Sequence, residues 1–496
     1  MNLRSSSIRG AVWLSAGMVG NMAANFAVMI VLARLIGPEG FGLVAYAAIF
    51  VVFLVNFLNF GLGEAIIQRE DVEDLHMHTA FWAVLVIGLL LTVVAQGLAY
   101  AAGAVLDKPL LTPVMQALSI SIIIGAFRTV PDAVLRRNMQ FKSFALRDLA
   151  SALIAGAAGV ALALLGAGVW SLVAQRVCAN LIRMVLLWHA SRYRPARQFS
   201  FTHLKHLAAF GVNIFGVRLV SFFSQYADSL LIGYYLGDAF LGYYTISMRI
   251  IRLMLGLLVQ TFNRVALSAF SRIQSDLDRV RRAVYSATDA SAAAGFPAFL
   301  GVAALAPELI EIMAGPEWDT AVPVLRILCF FGLLACAFSA NNSVMQGLGK
   351  PSWTLLLRVI NLVIGVIGFF LVMLWGMGRL DMTDLLIAVA GVFTGRVYLL
   401  APVQVALMRR LTKMQLSTYF RQFVGPLVAA LVSMGAALAI RSRLVGSMTP
   451  HAIVAIVLPI MVVIYYALVY PMSPFVRRQS AGLLRMARNR LGGAAE

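Results

Sequence analysis

Residues 79–105, TAFWAVLVIGLLLTVVAQGLAYAAGAV, run for 27 positions without a charged side chain. A hydrocarbon core takes about 20 apolar residues per helix, so this stretch predicts a membrane-crossing helix with more than a turn to spare. Comparable stretches recur along the 496-residue chain, which is 61% hydrophobic and 12% charged with a mean hydropathy of +0.87. Those proportions exclude a soluble globular protein. They also exclude a transmembrane barrel, whose strands read as roughly ten-residue alternating segments. The fold class expected is an all-α polytopic membrane protein with about 14 transmembrane helices, the first at 11–36 and the last at 450–470.

Arg4 and Arg9 precede the first apolar run, which is longer than a signal-peptide core and carries no small-x-small cleavage site, so it reads as an uncleaved first helix. An even number of spans puts both termini on one side. The Lys and Arg residues of the loops fall heavily on that side, the opposite loops holding only Arg34, Lys108, Arg379, Arg441 and Arg443. Both termini are therefore expected in the cytoplasm. The net charge of +19 reflects this asymmetry and attraction to anionic lipids rather than a nucleic-acid partner. Cys178, Cys329 and Cys336 lie in apolar runs, which leaves neither a disulfide framework nor a thiolate metal cluster. No cofactor is expected. The loops are too short to hold a folded catalytic domain of at least about 50 residues, so no enzyme is expected and any chemistry belongs inside the membrane.

The chain contains an internal echo. Residues 33–42, ARLIGPEGFG, align without a gap over 233–242, GYYLGDAFLG, so that Gly37 meets Gly237 and Gly42 meets Gly242 at an offset of 200. A second match sets PVMQAL at 113–118 over PVLRIL at 323–328. Spans 1–6 are thus expected to repeat as spans 7–12. Six is even, which makes the repeats parallel, an arrangement that places a central cavity between lobes. The expected domains are a six-helix lobe at 1–206, a second at 207–412, two extra helices within 413–474 and a basic amphipathic tail at 475–496.

Nine arginines fall inside the expected spans. Arg176, Arg218, Arg249, Arg252 and Arg396 lie deepest, at a cost of about 3 kcal/mol each if they faced lipid. They are expected to face protein or water. On span 8, Thr245, Arg249, Arg252, Gly256, Gln260 and Asn263 share one arc of an ideal helix. Span 6 carries Arg176, Asn180 and Arg183 on one face, span 7 carries Arg218, Ser221, Gln225 and Asp228, and span 1 carries Asn21 and Asn25. The uncharged polar positions can equally hydrogen-bond between helices. For the arginines, only Asp228 and Asp289 offer carboxylates inside the spans, so surplus guanidinium points to an anionic ligand. Arg keeps its charge and binds phosphate or carboxylate bidentately. The candidate substrate ligands are Arg176, Arg218, Arg249, Arg252, Arg396, Arg183, Asn25, Gln260 and Asn263. Asp228 is a candidate for proton or cation coupling, or else a structural partner of Arg218 or Arg249.

Weaker signals carry less. His76 and His78 sit in an acidic cytoplasmic loop and read as solvated rather than metal-binding. Residues 347–352, GLGKPS, lack phosphate-loop spacing. After span 8, Ile273, Leu277, Val280 and Val284 alternate helically with Arg272, Arg279, Arg281 and Arg282, as an interfacial helix would.

Several of these stretches together resemble the Wzx-type polysaccharide flippases, the lipopolysaccharide and exopolysaccharide exporters of the multidrug/oligosaccharidyl-lipid/polysaccharide superfamily. They are LARLIGPEGFGL at 32–43, GLGEAIIQR at 61–69, DSLLIG at 228–233, LGYY at 241–244 followed by Arg249, APEL at 306–309 and GPEW at 315–318. The resemblance implies a bacterial inner-membrane transporter that moves an undecaprenyl-pyrophosphate-linked oligosaccharide between leaflets by alternating access. It also implies membrane lipids, a polysaccharide polymerase and chain-length proteins as partners, and a monomer. A multidrug or cation antiporter of the same superfamily is the alternative within the class, and would show intramembrane carboxylates in excess. A membrane-embedded polymerase or ligase is the alternative outside it, and would need a sizeable external loop.

Overall fold

The computed structural model describes residues 3–58, 61–68, 71–137, 141–260, 270, 276–478, 480 and 481. Among them the secondary structure is helical throughout, and the chain divides by its contacts into two units, Met1–Thr245 and Ile246–Glu496.

The first unit comprises α1 (Leu3–Leu58), α2 (Leu62–Gln68), α3 (Asp74–Val105), α4 (Leu111–Arg137), α5 (Phe141–Leu164), α6 (Val169–Ser191), α7 (Phe201–Tyr235) and the start of α8 (Asp238–Leu255). Among the described residues, eleven helices are long and apolar enough to cross a membrane, twelve if one bent helix pair in the second unit is a single span. That differs from the expected 14 partly because α1 is two helices run together. Gly37, at φ 77° and ψ 171°, breaks it, and Pro38 opens the second half. Only glycine takes that backbone without strain, and proline suits a first helical turn.

On α3, Ala80, Val84, Ala95 and Ala99 are buried while Leu90 is 61% exposed and Val93 63%. The stripe of small residues faces inward, where it lets α4 approach closely enough that the side chain of Ala126 fills the space beside Gly88. Large aliphatics facing outward are what lipid requires, and small residues at helix contacts are what packing without a hydrophobic drive requires. The segment after α6 is pinned to the start of α3. Trp82 donates to the Ala196 carbonyl at 2.8 Å, and Tyr193 Oη lies 3.1 Å from His78 Nδ1. Burial, with Asp74 nearby, pushes the Tyr193 phenol above its ordinary range.

The second unit continues from α8 through a π-helical turn at Gly256–Gln260, then α9 (Leu277–Ala304), α10 (Ala306–Met313), α11 (Ala321–Ala337), α12 (Ser339–Gly347), α13 (Pro351–Gly376), α14 (Met382–Thr412), α15 (Leu416–Leu444) and α16 (Pro450–Val469). The bent pair is α9 and α10, which meet at 74°. The expected interfacial helix after span 8 is corrected here. Asp276 caps α9 by accepting from the Asp278 and Arg279 N–H groups, and Val280 and Val284 are fully buried among Met345, Met408 and Tyr419. An amphipathic pattern serves a protein core as well as a headgroup layer, and here the core takes it. Ile273 lies outside the described residues, as does most of the basic tail.

The two C-terminal helices are built into the unit. α15 packs along α9, and α16 packs on α15 with Tyr465 donating to the Ala293 carbonyl at 2.7 Å. Two buried carboxylates complete this side. Asp289 accepts from Ser473 Oγ at 2.7 Å and from the Phe475 N–H at 3.0 Å, and Glu308 pairs with Arg441 at 2.6 Å.

Candidate functional site

The internal echo has a structural counterpart inside the first unit. Gly37 and Gly237 both adopt positive φ, 77° and 97°. The carbonyl oxygen of Asp238 occupies the space a Cβ on Gly42 would need, and the carbonyl oxygen of Pro38 does the same at Gly242. The contacts are reciprocal under the offset of 200: 42 meets 238, and 242 meets 38. Two equivalent corners therefore cross each other about a local pseudo-twofold. Lys108 closes the crossing, its Nζ 2.7 Å from Asp238 Oδ1 and 3.3 Å from the Gly233 carbonyl, above the Tyr46 ring.

The candidate arginines sort into different environments. On α6, Asn180 accepts from Arg128 Nη1 at 3.3 Å and donates to Ser121 Oγ at 3.3 Å. Arg183 Nε donates to Ser151 Oγ at 3.0 Å with Asp148 at 3.8 Å. Both residues thus bind α6 to α4 and α5. Arg176, on the same helix, is half-buried near Tyr226 of α7 and has no hydrogen-bond or ion-pair partner among the described residues.

Arg218 pairs with Glu64. The sequence reading missed Glu64 because it lies one residue beyond the apolar run that defines the second span. The short helix α2 packs against α7 and brings the carboxylate to the guanidinium. Asp228, 5% exposed, accepts from Tyr244 Oη at 2.5 Å and from the Ser229 N–H at 3.2 Å. Its carboxylate is thereby satisfied by α8 and its own helix, and the expected pairing with Arg218 gives way to the Glu64 pair. Asn25 bonds Asn21, donating to its carbonyl at 2.7 Å and its side-chain oxygen at 2.9 Å, within α1.

In the second unit, Arg249 is half-buried and Arg252 exposed on α8. The polar arc expected to continue through Gln260 assumed a regular helix, but the π turn at Gly256–Gln260 changes the residue spacing there. Asn263 lies outside the described residues. Arg396 on α14 is 9% exposed, its guanidinium 4.8 Å from the Phe393 ring and packed on the bare Cα of Gly365 in α13. Its Nε is buried without a hydrogen-bond partner, and the side chain forms no ion pair among the described residues. An intramembrane cation supported by an aromatic face and a glycine notch keeps its hydrogen-bond donors available.

Sequence reading also missed Arg128 and Arg147. They join Arg183 around Asp132 and Asp148, with Arg147 Nη2 3.8 Å from Asp132 Oδ1. The signal was present as Arg128, Asp132 and Arg136 spaced four apart on α4. As for metals, Glu73, His76 and His203 bring ligand atoms within 4.8 Å of one another, a donor set of the kind zinc takes. His78 is not among them. In this structure His76 Nδ1 accepts from the Glu73 N–H and His203 Nδ1 bonds Ser200 Oγ, so both rings also serve helix starts.

Comparison with known proteins places this architecture. The lipid II flippase MurJ in its inward closed conformation superimposes with a TM-score of 0.73 over 92% of this chain and 98% of that one, at 13% identity. An inward-facing multidrug resistance MATE family transporter of the MOP superfamily gives 0.60 over 82% and 99%, at 16% identity. The fold is theirs, and the chain is a multi-pass membrane protein. In sequence, it is 25% identical to the lipopolysaccharide biosynthesis protein WzxC of Escherichia coli (strain K12), over 70% of this chain and 71% of that one. It is 27% identical to the succinoglycan biosynthesis transport protein ExoT of Rhizobium meliloti (strain 1021), over 71% and 72%. The family model described as polysaccharide biosynthesis protein matches residues 31–323, more than half the length, and the chain belongs to that family.

Proposed function

We propose that the chain is a transporter that flips an undecaprenyl-diphosphate-linked oligosaccharide, the repeat unit of a lipopolysaccharide or exopolysaccharide, from the cytoplasmic to the periplasmic leaflet of a bacterial inner membrane. The observation that carries this reading is made once in each unit: Arg176 and Arg396 each lie on a membrane-length helix with no hydrogen-bond or ion-pair partner among the described residues. A guanidinium held in such a position is destabilising without an anion, and a diphosphate supplies one with matching bidentate geometry. Arg249, Arg252, Gln260 and Asn263 on and after α8 are the further proposed ligands.

The family and the named relatives support the same substrate class. The proposed orientation follows the basic loops, with both termini in the cytoplasm and the repeats at 1–206 and 207–412 alternating access. Polysaccharide polymerase and chain-length proteins are the proposed downstream partners. A cation antiporter is disfavoured because the carboxylates that would receive a cationic substrate are engaged: Glu64 by Arg218, Glu308 by Arg441 and Asp228 by Tyr244.

The test is leaflet translocation of a labelled undecaprenyl-diphosphate-linked oligosaccharide in proteoliposomes, with and without a proton or sodium gradient. Translocation above that of protein-free liposomes is expected. Export of cationic dyes without movement of the lipid-linked sugar would replace this reading with the antiporter.

A further inference from the structure

The second unit contains a cavity of about 1200 Å³ at the junction of α14 and α15, beneath the end of α11. Its walls are apolar and aromatic, with Phe338, Tyr398, Pro402 and Phe420 among them, and its rim carries Arg409, Arg410 and Lys413. All three basic residues are exposed, and none has a hydrogen-bond or ion-pair partner for its side chain among the described residues. The loop that carries Lys413 is held in shape. Lys413 itself takes a left-handed turn at φ 53°, its carbonyl accepts from Arg281 Nη1 at 3.4 Å, and the Gln415 N–H donates to Tyr285 Oη at 2.9 Å. The Lys413 ammonium remains at the rim.

An open apolar groove with cations along its rim fits a lipid whose head is an anion. A basic pocket between membrane helices is the usual form of such a site. Three cations, Arg409, Arg410 and Lys413, exceed the single charge of a phosphodiester headgroup and suit the doubly charged diphosphate that joins a lipid carrier to its sugar. We propose that this cavity docks the diphosphate and first isoprene units of the lipid carrier on the side from which substrate is taken up. The proposal rests on the functional reading of the chain as a flippase and adds a location to it: the carrier is held at α14 and α15. Arg409, Arg410 and Lys413 bind the diphosphate, while Phe338, Tyr398 and Phe420 line the hydrocarbon.

The experiment uses the full-length chain in phosphatidylcholine nanodiscs with farnesyl diphosphate as the probe. Each basic residue near a headgroup is worth roughly a factor of five, so the triple variant Arg409→Gln, Arg410→Gln, Lys413→Gln is expected to bind about 100-fold more weakly. Ala406→Trp sets an indole against the docking wall from an exposed lining position without touching charge, and a loss of at least about tenfold is expected there. The two variants act through charge and through volume, so a folding defect in one leaves the other decisive. Wild-type affinity in Ala406→Trp, or displacement of the probe by phosphatidylglycerol or cardiolipin at equal concentration, overturns the proposal. Wild-type protein that translocates lipid-linked oligosaccharide yet fails to bind farnesyl diphosphate overturns the docking site alone. Failure of both removes the functional reading with it.

Discussion

Replacing Gly42 with alanine tests the crossed corners directly. The new methyl group must occupy space now filled by the Asp238 carbonyl oxygen. That atom belongs to backbone anchored by Gly237 at φ 97° on one side and by the Lys108 bond of 2.7 Å to the Asp238 side chain on the other. Overpacking costs about 1–3 kcal/mol. Because the obstructing atom is backbone rather than the flexible end of a side chain, the upper half of that range is expected. At about 2–4 °C per kcal/mol for a unit of this size, Gly42→Ala should melt about 4–12 °C below wild type. Gly242→Ala, which meets the Pro38 carbonyl in the same way, should lose a similar amount. The two lesions share one crossing, so the double variant should lose clearly less than their sum. A Cβ on Gly97 would meet nothing within 4 Å, and Gly97→Ala should melt no lower than wild type. The assay is fluorescence-detected size exclusion of heated, detergent-solubilised protein. Strict additivity of the two corner variants, or a Gly42→Ala protein that melts together with wild type, would refute the reciprocal crossing.

Further outcomes are expected at the charged positions. Arg176→Gln and Arg396→Gln should each reduce flipping in proteoliposomes by at least about tenfold while melting no lower than wild type, because neither side chain bonds another described residue and the unpartnered cation destabilises the resting protein; an interaction of about 1.4 kcal/mol already gives tenfold. Arg183→Gln should do the reverse, lowering stability by about 1–3 kcal/mol through loss of Ser151 and Asp148 while transport per folded molecule persists. Arg441→Gln strands the buried Glu308 carboxylate and should cost about 3 kcal/mol, whereas the double variant Glu308→Leu with Arg441→Leu should recover most of that loss in the same melting assay. Asp228→Asn separates coupling from architecture: if Asp228 only anchors Tyr244, gradient-driven transport should stay proportional to folded protein, and loss of gradient dependence alone would assign it to coupling.

The membrane-length helices and the corner glycines were legible in the sequence because both leave a local signature. A membrane helix needs a long uncharged run wherever it occurs, and Gly37 and Gly237 sit where the backbone takes a positive φ that other residues resist. The partners of the arginines were not legible, since Glu64 reaches Arg218 only through the packing of α2 on α7. Nor was the fate of Val280 and Val284, whose spacing fits a headgroup layer and a protein core equally. The π turn at Gly256–Gln260 has no compositional mark in this chain, yet it breaks the periodicity on which the polar arc of α8 depended.

The distribution of arginine partners carries the functional argument further than the number of arginines does. A bundle that used guanidinium only as cement would show each one bonded to a neighbouring helix, as Arg183 is to α5 and Arg441 is to Glu308. Arg396 departs from that rule in a specific way. Phe393 and Gly365 support its flat faces, which stabilises the cation without consuming its N–H donors. Burial without donor satisfaction destabilises the resting protein, and such destabilisation is tolerable only where those donors meet an acceptor during the transport cycle. The Arg409, Arg410 and Lys413 rim differs in kind, being exposed and therefore hydrated while it stands open. Weakly held cations at the surface suit capture, and strongly desolvated ones suit selection, so a substrate bearing a diphosphate would meet the first set before the second.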